Sequence, residues 1–392
     1  MLKKLNFSFL FFLKLLFVPV LYELVIGGSG HYLEFGPITF RIVAYLVVIF
    51  LAIIYYLEKK VIKKDLSVIL LSFSMTLIFS SIVGFSNNAH LGSVLEDLKP
   101  LSFFYILLFF AIVVKDIDDI KKISTILKIG PLILGVIYIL VIILLLLGKI
   151  NFTAFYYQQS KIGEIMFRNE TLFFYKGFLY LCVGYFFFLL SDGKGNKFGA
   201  LFLFACIILT LTRGFILFTI LISAYYVFFI NKNIVLKWIT FLLGIIAFSI
   251  LVPILLDILG DKSDSDSLRY LQINEVIEGI NPLSFIIGHG FGVGVESRPV
   301  HMELSFLEIF HKQGIIGLAF WFGLFFYIFF LYAKIKIKSY RNIALPFLLS
   351  VIFIILQSGT NPYMNNPIGL LMILISVIVF SKLVELQKEK FL

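Results

Sequence analysis

The sequence predicts an all-α polytopic membrane protein with about twelve transmembrane helices and one long extracytoplasmic loop containing short helices. Three observations lead there. Of 392 residues, 60% are hydrophobic and only 14% are charged, whereas soluble domains are roughly 25% charged. A mean hydropathy of +1.04 leaves too few polar side chains to coat a soluble core. The apolar residues also fall in long blocks, and about 20 of them cross a ~30 Å hydrocarbon core with every backbone hydrogen bond closed inside the segment.

Taken in order, these blocks place spans at roughly 5–22, 38–57, 66–84, 100–114, 129–147, 171–190, 198–212, 214–230, 238–257, 314–333, 343–357 and 368–384. The start, MLKKLNFSFLFFLKLLFVPV, has the basic end and apolar run of a signal sequence. No small-residue cleavage site follows, so it is read as a retained first span. Only Arg213 and Gly214 separate the seventh and eighth spans, which could instead be a re-entrant pair or a turn held inside the protein. With no internal repeat visible, residues 1–392 read as one polytopic domain, and the loop at 258–313 lies within it.

Lysine and arginine set the orientation. Alternate connections hold 21 of them on one side and 9 on the other, both termini lying with the larger set. Both termini are therefore expected to face the cytoplasm, with the 258–313 loop outside. The net charge of +10 is a topology signal and no reason to expect a nucleic-acid partner. Cys182 and Cys206 lie within apolar blocks, so a structural disulfide is not expected. The basic connections are short, whereas the opposite ones are longer, which puts the chemistry on the outer face.

The stretch Leu259 to Gly317 is where polar side chains collect, with Arg269, His289, Arg298, His301 and His311. Intramembrane charge costs at least ~2.5–3.5 kcal/mol, so Arg41, Lys176 and Arg213, each close to the same face, also need an account. They either snorkel to the headgroups or form a cationic pocket for a phosphate or pyrophosphate, to which the planar guanidinium fork is suited. Asp261, Asp264 and Asp266 lack the glycine and distal glutamate of a calcium loop and read as a solvated acidic turn. Gly288, Gly290, Gly292 and Gly294 lack the flanking strand of a dinucleotide site and read as a tight turn passing close to other backbone. SLRYLQINEVIEGI should be helical until Asn281-Pro282 breaks it, with Leu268, Leu271, Val276, Ile280 and Tyr270 lying on the membrane surface. Val300 to Phe310 should form a second helix placing His301, Ser305 and Glu308 on one face.

Three segments resemble the bacterial O-antigen ligase and O-antigen polymerase superfamily. LTLTRG (209–214) is similar to that family's small-polar run ending in arginine. SLRYLQINEVIEGINPLSFIIGHGFG (267–292) resembles its arginine, helix, proline and glycine segment, and HMELSFLEIFHKQGIIGL (301–318) its histidine segment. The resemblance implies a GT-C-like glycosyltransferase that takes glycan from an undecaprenyl-pyrophosphate-linked oligosaccharide. Its expected neighbours are membrane lipids, a flippase and a chain-length regulator, and it should use no metal or other cofactor. By position, Arg213 and Arg269 match arginines that hold the pyrophosphate, and His301 matches the catalytic histidine. Arg41, Lys176, Arg298 and Glu303 are the remaining candidates for pyrophosphate and glycan, and Glu303 or Glu308 would orient the histidine. Met302 stands where the family often has asparagine, and Tyr270 and Leu271 where it often has tryptophan. The loop is also short for a ligase gripping a lipid A core. Repeat-unit polymerase is thus the first expectation, ligase the second, and a lipid-linked oligosaccharide flippase or transporter the third.

Overall fold

The computed structural model describes residues 2–32, 34–35, 38–59, 63–230, 234, 237 and 263–391. The expected span at 238–257, with Asp261 and Lys262, lies outside them. The described chain is all-α apart from two small antiparallel pairs, β1 (Glu34–Phe35) with β2 (Ile38–Thr39) and β3 (Ile165–Phe167) with β4 (Phe173–Tyr175). Among the described residues, eight helices are long and apolar enough to cross a membrane. They are α1 (Leu2–Ile26), α2 (Phe40–Lys59), α3 (Lys64–Ser86), α6 (Ile117–Leu146), α10 (Arg213–Tyr225, continued by a π-turn to Ile230), α13 (Ser305–Lys334), α14 (Lys338–Ser358) and α15 (Pro367–Phe391).

Packing rather than hydropathy distinguishes the helices: α2 is as apolar as α15 and α6 more so, yet each buries a third or less of its span. In α15 apolar residues occupy every face, and 89% of its membrane window is buried, against 50% or less for the other seven. An all-round apolar helix suits either the bundle interior or the lipid, and contact with its neighbours puts α15 inside. The outer helices bury one face and leave large apolar side chains bare on the other, such as Phe50, Met75, Ile78 and Phe326. A water-soluble protein does not tolerate so much exposed apolar surface, so the chain is a polytopic membrane protein.

Several expected spans come out differently. The block at 100–114 is not one helix: α4 (Leu91–Ser102), a single 3-10 turn (Phe103–Tyr105) and α5 (Ile106–Val113) succeed one another, with Pro100 lacking the amide that would continue α4 cleanly. The block at 171–190 opens as strand β4 and a 3-10 turn at Lys176–Phe178 before α8 (Leu179–Leu189). Lys176 therefore lies in that turn rather than within a span. The seventh and eighth blocks are α9 (Lys194–Leu209) and α10, separated by three residues that include Leu211 at φ +49°. The amphipathic α7 (Phe152–Ile162) fills part of the preceding connection.

In the loop, α11 (Ser263–Gly279) is followed by α12 (Pro282–Ile287). Asn281 ends the first and caps the second, accepting from the amides of Leu283 and Ser284 while its own amide donates to Ser284 Oγ. The expected surface stripe is split. Leu268, Tyr270 and Leu271 are exposed, but Val276 is buried against Val295 and Met302. The second expected helix begins only at Ser305, so residues 301–304 are irregular.

The glycines form a strap. His289 and Gly290 donate their amides to the carbonyls of His311 and Lys312 at 2.8 and 2.9 Å, and the Phe291 amide donates to Ser80 O at 2.9 Å. The strap thus ties the end of α3 to the first turns of α13. Gly290 has φ +87°, and a Cβ there would stand 1.9 Å from Gly84 N. Gly314, at φ +60°, breaks α13 into two pieces beside Ile286.

Gly290→Ala should abolish the folded protein, because both conformation and space forbid the methyl. Gly148→Ala is the control: its φ is +64° with nothing within 4 Å of the added Cβ, so only about 1 kcal/mol should be lost. Size-exclusion profiles and melting curves in detergent check the pair; equal behaviour of the two variants refutes the role given to the strap.

Candidate active site

The strap and the break at Gly314 bring four titratable side chains from separate segments to one point. Asp97 comes from the last turns of α4, His301 from the irregular segment, and Glu308 and Lys312 from the first turns of α13. Lys312 Nζ donates to Asp97 Oδ1 at 2.6 Å, to Glu308 Oε1 at 2.8 Å and to the Val300 carbonyl. The amide of Gly292, from the strap, donates to Asp97 Oδ2 at 2.7 Å. Asn365, in the turn between α14 and α15, donates to Glu308 Oε2. Ser305 Oγ donates to the Asn361 carbonyl in the same turn at 3.1 Å.

Three of the four are hidden, with side-chain exposures of 4% for Asp97, 5% for Glu308 and 3% for Lys312, but His301 is 49% exposed. Its Nδ1 faces inward, 3.3 Å from Glu308 Oε1 and 3.4 Å from Asp97 Oδ1. A proton on Nδ1 held by a carboxylate fixes the tautomer and leaves Nε2 as the basic nitrogen. The hydrogen bond to Glu308 raises the His301 pKa above its ordinary value, against the effect of burial. Burial raises that of Asp97, against the pull of Lys312 and the Gly292 amide. Of the two glutamates expected to orient the histidine, the nearer is Glu308, reached from the first helical turn back to the preceding loop rather than along a shared helical face.

Asp97, His301 and Glu308 offer ligand atoms within 4.8 Å of one another, the spacing of a metal site. Here the Lys312 ammonium already donates to one oxygen of each carboxylate, so the two oxygens that would hold a cation are engaged by a fixed one. The residues fit an ammonium better than a metal. The adjoining cavity, about 30 Å³ and bordered by His301, Phe291 and Asn365, has room for a water molecule or two and none for a sugar. Any glycan must therefore meet His301 from its exposed side.

Beside this cluster Glu303 joins two arginines. Its Oε2 accepts from Arg269 Nε at 3.0 Å and its Oε1 from Arg298 at 2.8 Å, while its amide donates to the buried Gln272 at 3.0 Å. Met302 turns into the apolar cluster with Val276 and Val295, filling the underside of the loop as its neighbours His301 and Glu303 meet polar partners. Arg213 is the exposed first residue of α10. The next residue, Gly214, sits so close to Gln357 that a Cβ would meet its side chain at 2.7 Å, and Phe215 contacts Tyr363. Arg213 thus opens a helix whose next two residues meet the end of α14 and the 359–366 turn that bonds Ser305 and Glu308.

Arg41 and Lys176 lie elsewhere. Arg41 is buried and paired with Glu23 at 2.9 Å, and it also donates to the Gly28 carbonyl; it does not snorkel. Lys176 is half-buried beside Glu164, whose carboxylate accepts from the amides of Ser29 and His31. No described contact joins either to His301. His289 of the strap stacks on His311 of α13 at 4.4 Å.

Sequence reasoning missed Asp97 and Asn365, and it counted Lys312 only as a loop charge. The signals were a carboxylate three residues before Pro100 and a Glu308–Lys312 pair at i,i+4.

Fold and site together define a polytopic membrane protein with a carboxylate-oriented histidine exposed at one end of its bundle. No protein-family model matches the chain. It is similar to an O-antigen polymerase of Shigella flexneri, with 29% identity over 376 residues that cover 92% of each chain. That whole-length likeness supports placing the chain in the O-antigen polymerase and ligase superfamily that its arginine, glycine and histidine segments resemble.

Lys312→Met should strand two buried carboxylates and cost about 3–5 kcal/mol. A fall in melting temperature of the detergent-solubilised protein checks this, and a melting point unchanged by the substitution refutes the clamp.

Proposed function

We propose that this protein is a polysaccharide repeat-unit polymerase. It would transfer glycan from an undecaprenyl-pyrophosphate donor to a sugar hydroxyl of a second lipid-linked unit, at the outer face of the cytoplasmic membrane. The observation that carries the reading is the His301–Glu308 dyad, set in a chain similar over nearly its whole length to a protein named as an O-antigen polymerase. The separation of the basic set from the loop supports the orientation: Lys63, Lys115 and Lys382 gather at one end of the bundle, and His301, Arg269 and Arg298 meet in the loop at the other.

In this mechanism the acceptor hydroxyl oxygen attacks the anomeric carbon of the donor sugar. Its proton passes to His301 Nε2 as the new C–O bond forms. The bond from the anomeric carbon to the pyrophosphate oxygen breaks, and undecaprenyl pyrophosphate leaves with the electron pair. The imidazolium so formed is stabilised by Glu308. Arg269 and Arg298, held side by side by Glu303, and Arg213 stabilise the charge that develops on the pyrophosphate. These fixed cations take the part that a metal plays in many phosphate-leaving reactions, so the reaction is metal-independent.

His301→Ala should abolish chain extension while the protein still inserts and purifies normally. In a strain complemented with this variant, surface lipid should carry single repeats; full-length chains would sink the assignment, and accumulated long lipid-linked chains would indicate a ligase instead.

The pH dependence follows from the dyad. His301 must be neutral to accept a proton, and its pKa is raised, so activity should fall as pH drops through a value above the ordinary imidazole's ~6.5. Glu308→Gln leaves an acceptor but removes the negative charge that strengthens the hydrogen bond and favours the imidazolium, and should move the acid limb to lower pH. An acid limb that stays in place in a folded Glu308→Gln protein would show that the histidine is not the titrating base.

A further inference from the structure

At the end of the bundle opposite the loop, a second pocket of about 210 Å³ opens between the start of α3, the end of α5 and the C-terminal half of α15. Leu66, Ala111, Val114 and Ile378 form its apolar floor, and Lys63, Lys115 and Lys382 stand on its rim with Glu385 and Ser381. Glu385 is shared: Lys63 reaches its Oε2 at 2.7 Å and Lys382 its Oε1 at 3.2 Å. Lys63 also donates to the Ser381 carbonyl at 3.0 Å. The Lys115 ammonium has no hydrogen bond or ion pair among the described residues. The next carboxylate, Asp119, is held by Lys14 at 4.0 Å and Lys122 at 3.2 Å. Every acidic group facing the pocket is thus already matched, and the lysines outnumber them. Burial first, and then the charge of Lys382, hold the Lys115 pKa below its usual value.

Like charges gathered around a cavity repel one another, and an anion seated between them would relieve that repulsion. The chemistry of the walls says which anion. The floor is apolar, the rim is cationic, and Lys63 immediately precedes the first residue of a membrane-spanning helix, so the rim stands at headgroup level. Basic pockets between transmembrane helices are suited to phosphate headgroups. The volume suits one phosphate and its glycerol rather than a glycan.

We propose that this pocket binds the headgroup of an anionic phospholipid, which cross-links α3, α5 and the central helix α15 at the end remote from the glycosyl-transfer site. Each of Lys63, Lys115 and Lys382 donates to the phosphodiester, and the proximal acyl carbons lie on the Leu66–Ile378 floor. The site stands independently of the polymerase reading.

The test uses full-length protein in nonionic detergent. Phosphatidylglycerol, phosphatidylcholine or inorganic phosphate is added at equal concentration, and lipid retention in native mass spectra and melting temperature are recorded. Wild-type protein should retain and be stabilised by phosphatidylglycerol alone. Lys115→Gln should weaken that retention about five-fold, and Lys115→Gln with Lys382→Gln about 25-fold, at ~1 kcal/mol for each basic group. Melting in phosphatidylcholine should stay within a few degrees of wild type for the single variant. Should the double variant fail to fold, Lys115→Gln alone decides. Equal retention of the two lipids, undiminished phosphatidylglycerol binding by Lys115→Gln, or full stabilisation by inorganic phosphate would each overturn the proposal, the last by showing a simple anion site.

Discussion

One buried ammonium group holds the loop end of this protein together. Lys312 sits between two buried carboxylates, on α4 and on its own helix, and takes the Val300 carbonyl as a third partner. Each charge alone would be prohibitively costly to bury, and together they are stable only while all of them are in place. That condition makes the site unique: α4, the glycine strap and the first piece of α13 must be correctly assembled before the cluster is electrically tolerable. His301, immediately after Val300, is positioned as a consequence.

The same cluster separates scaffold from chemistry. The three hidden groups face one another and leave no volume for substrate, whereas the histidine presents half of its surface outward and turns Nδ1 inward. An imidazole held this way has one nitrogen committed to orientation and one left for proton transfer. The arginines follow a different logic. Glu303 spaces Arg269 and Arg298 on the loop, while Arg213 stands at the start of α10, where Gly214 abuts Gln357 at the end of α14 and Phe215 meets Tyr363 of the 359–366 turn. That turn is bonded in its own right to Ser305 and Glu308 and touches Phe215 through Tyr363, so it ties the start of α10 to the start of α13.

The bundle beneath is governed by its solvent. The central α15 is buried nearly all round, whereas the other long helices turn bare apolar side chains outward on one side. Breaks in helices are concentrated where protein satisfies the freed backbone groups. Gly314 interrupts α13 beside the strap, and before the 3-10 turn that follows α4 the Ser102 carbonyl accepts from the Tyr45 hydroxyl at 2.6 Å. Irregular backbone at membrane depth is tolerated on that condition.

Much was determined by the sequence itself. Apolar block length gave the membrane class and most helices, because a spanning segment must satisfy its own backbone. The glycine run was legible as a close backbone passage, since only glycine accepts φ near +80° with no room for a Cβ. Arg41, Lys176 and Arg213 could be singled out because charge near apolar blocks is costly, whereas His301 and Arg269 stood out through the resemblance of their segments to the O-antigen ligase and polymerase superfamily. What tertiary structure alone decided was pairing. Nothing local says that Asp97 meets Lys312 across 215 positions, that Arg41 is neutralised by Glu23 while Arg269 is spaced by Glu303, or that a helix expected from Val300 starts only at Ser305. Periodicity reports what one segment prefers. Which charge neutralises which depends on where the strap brings segments together, and that is a property of the folded bundle.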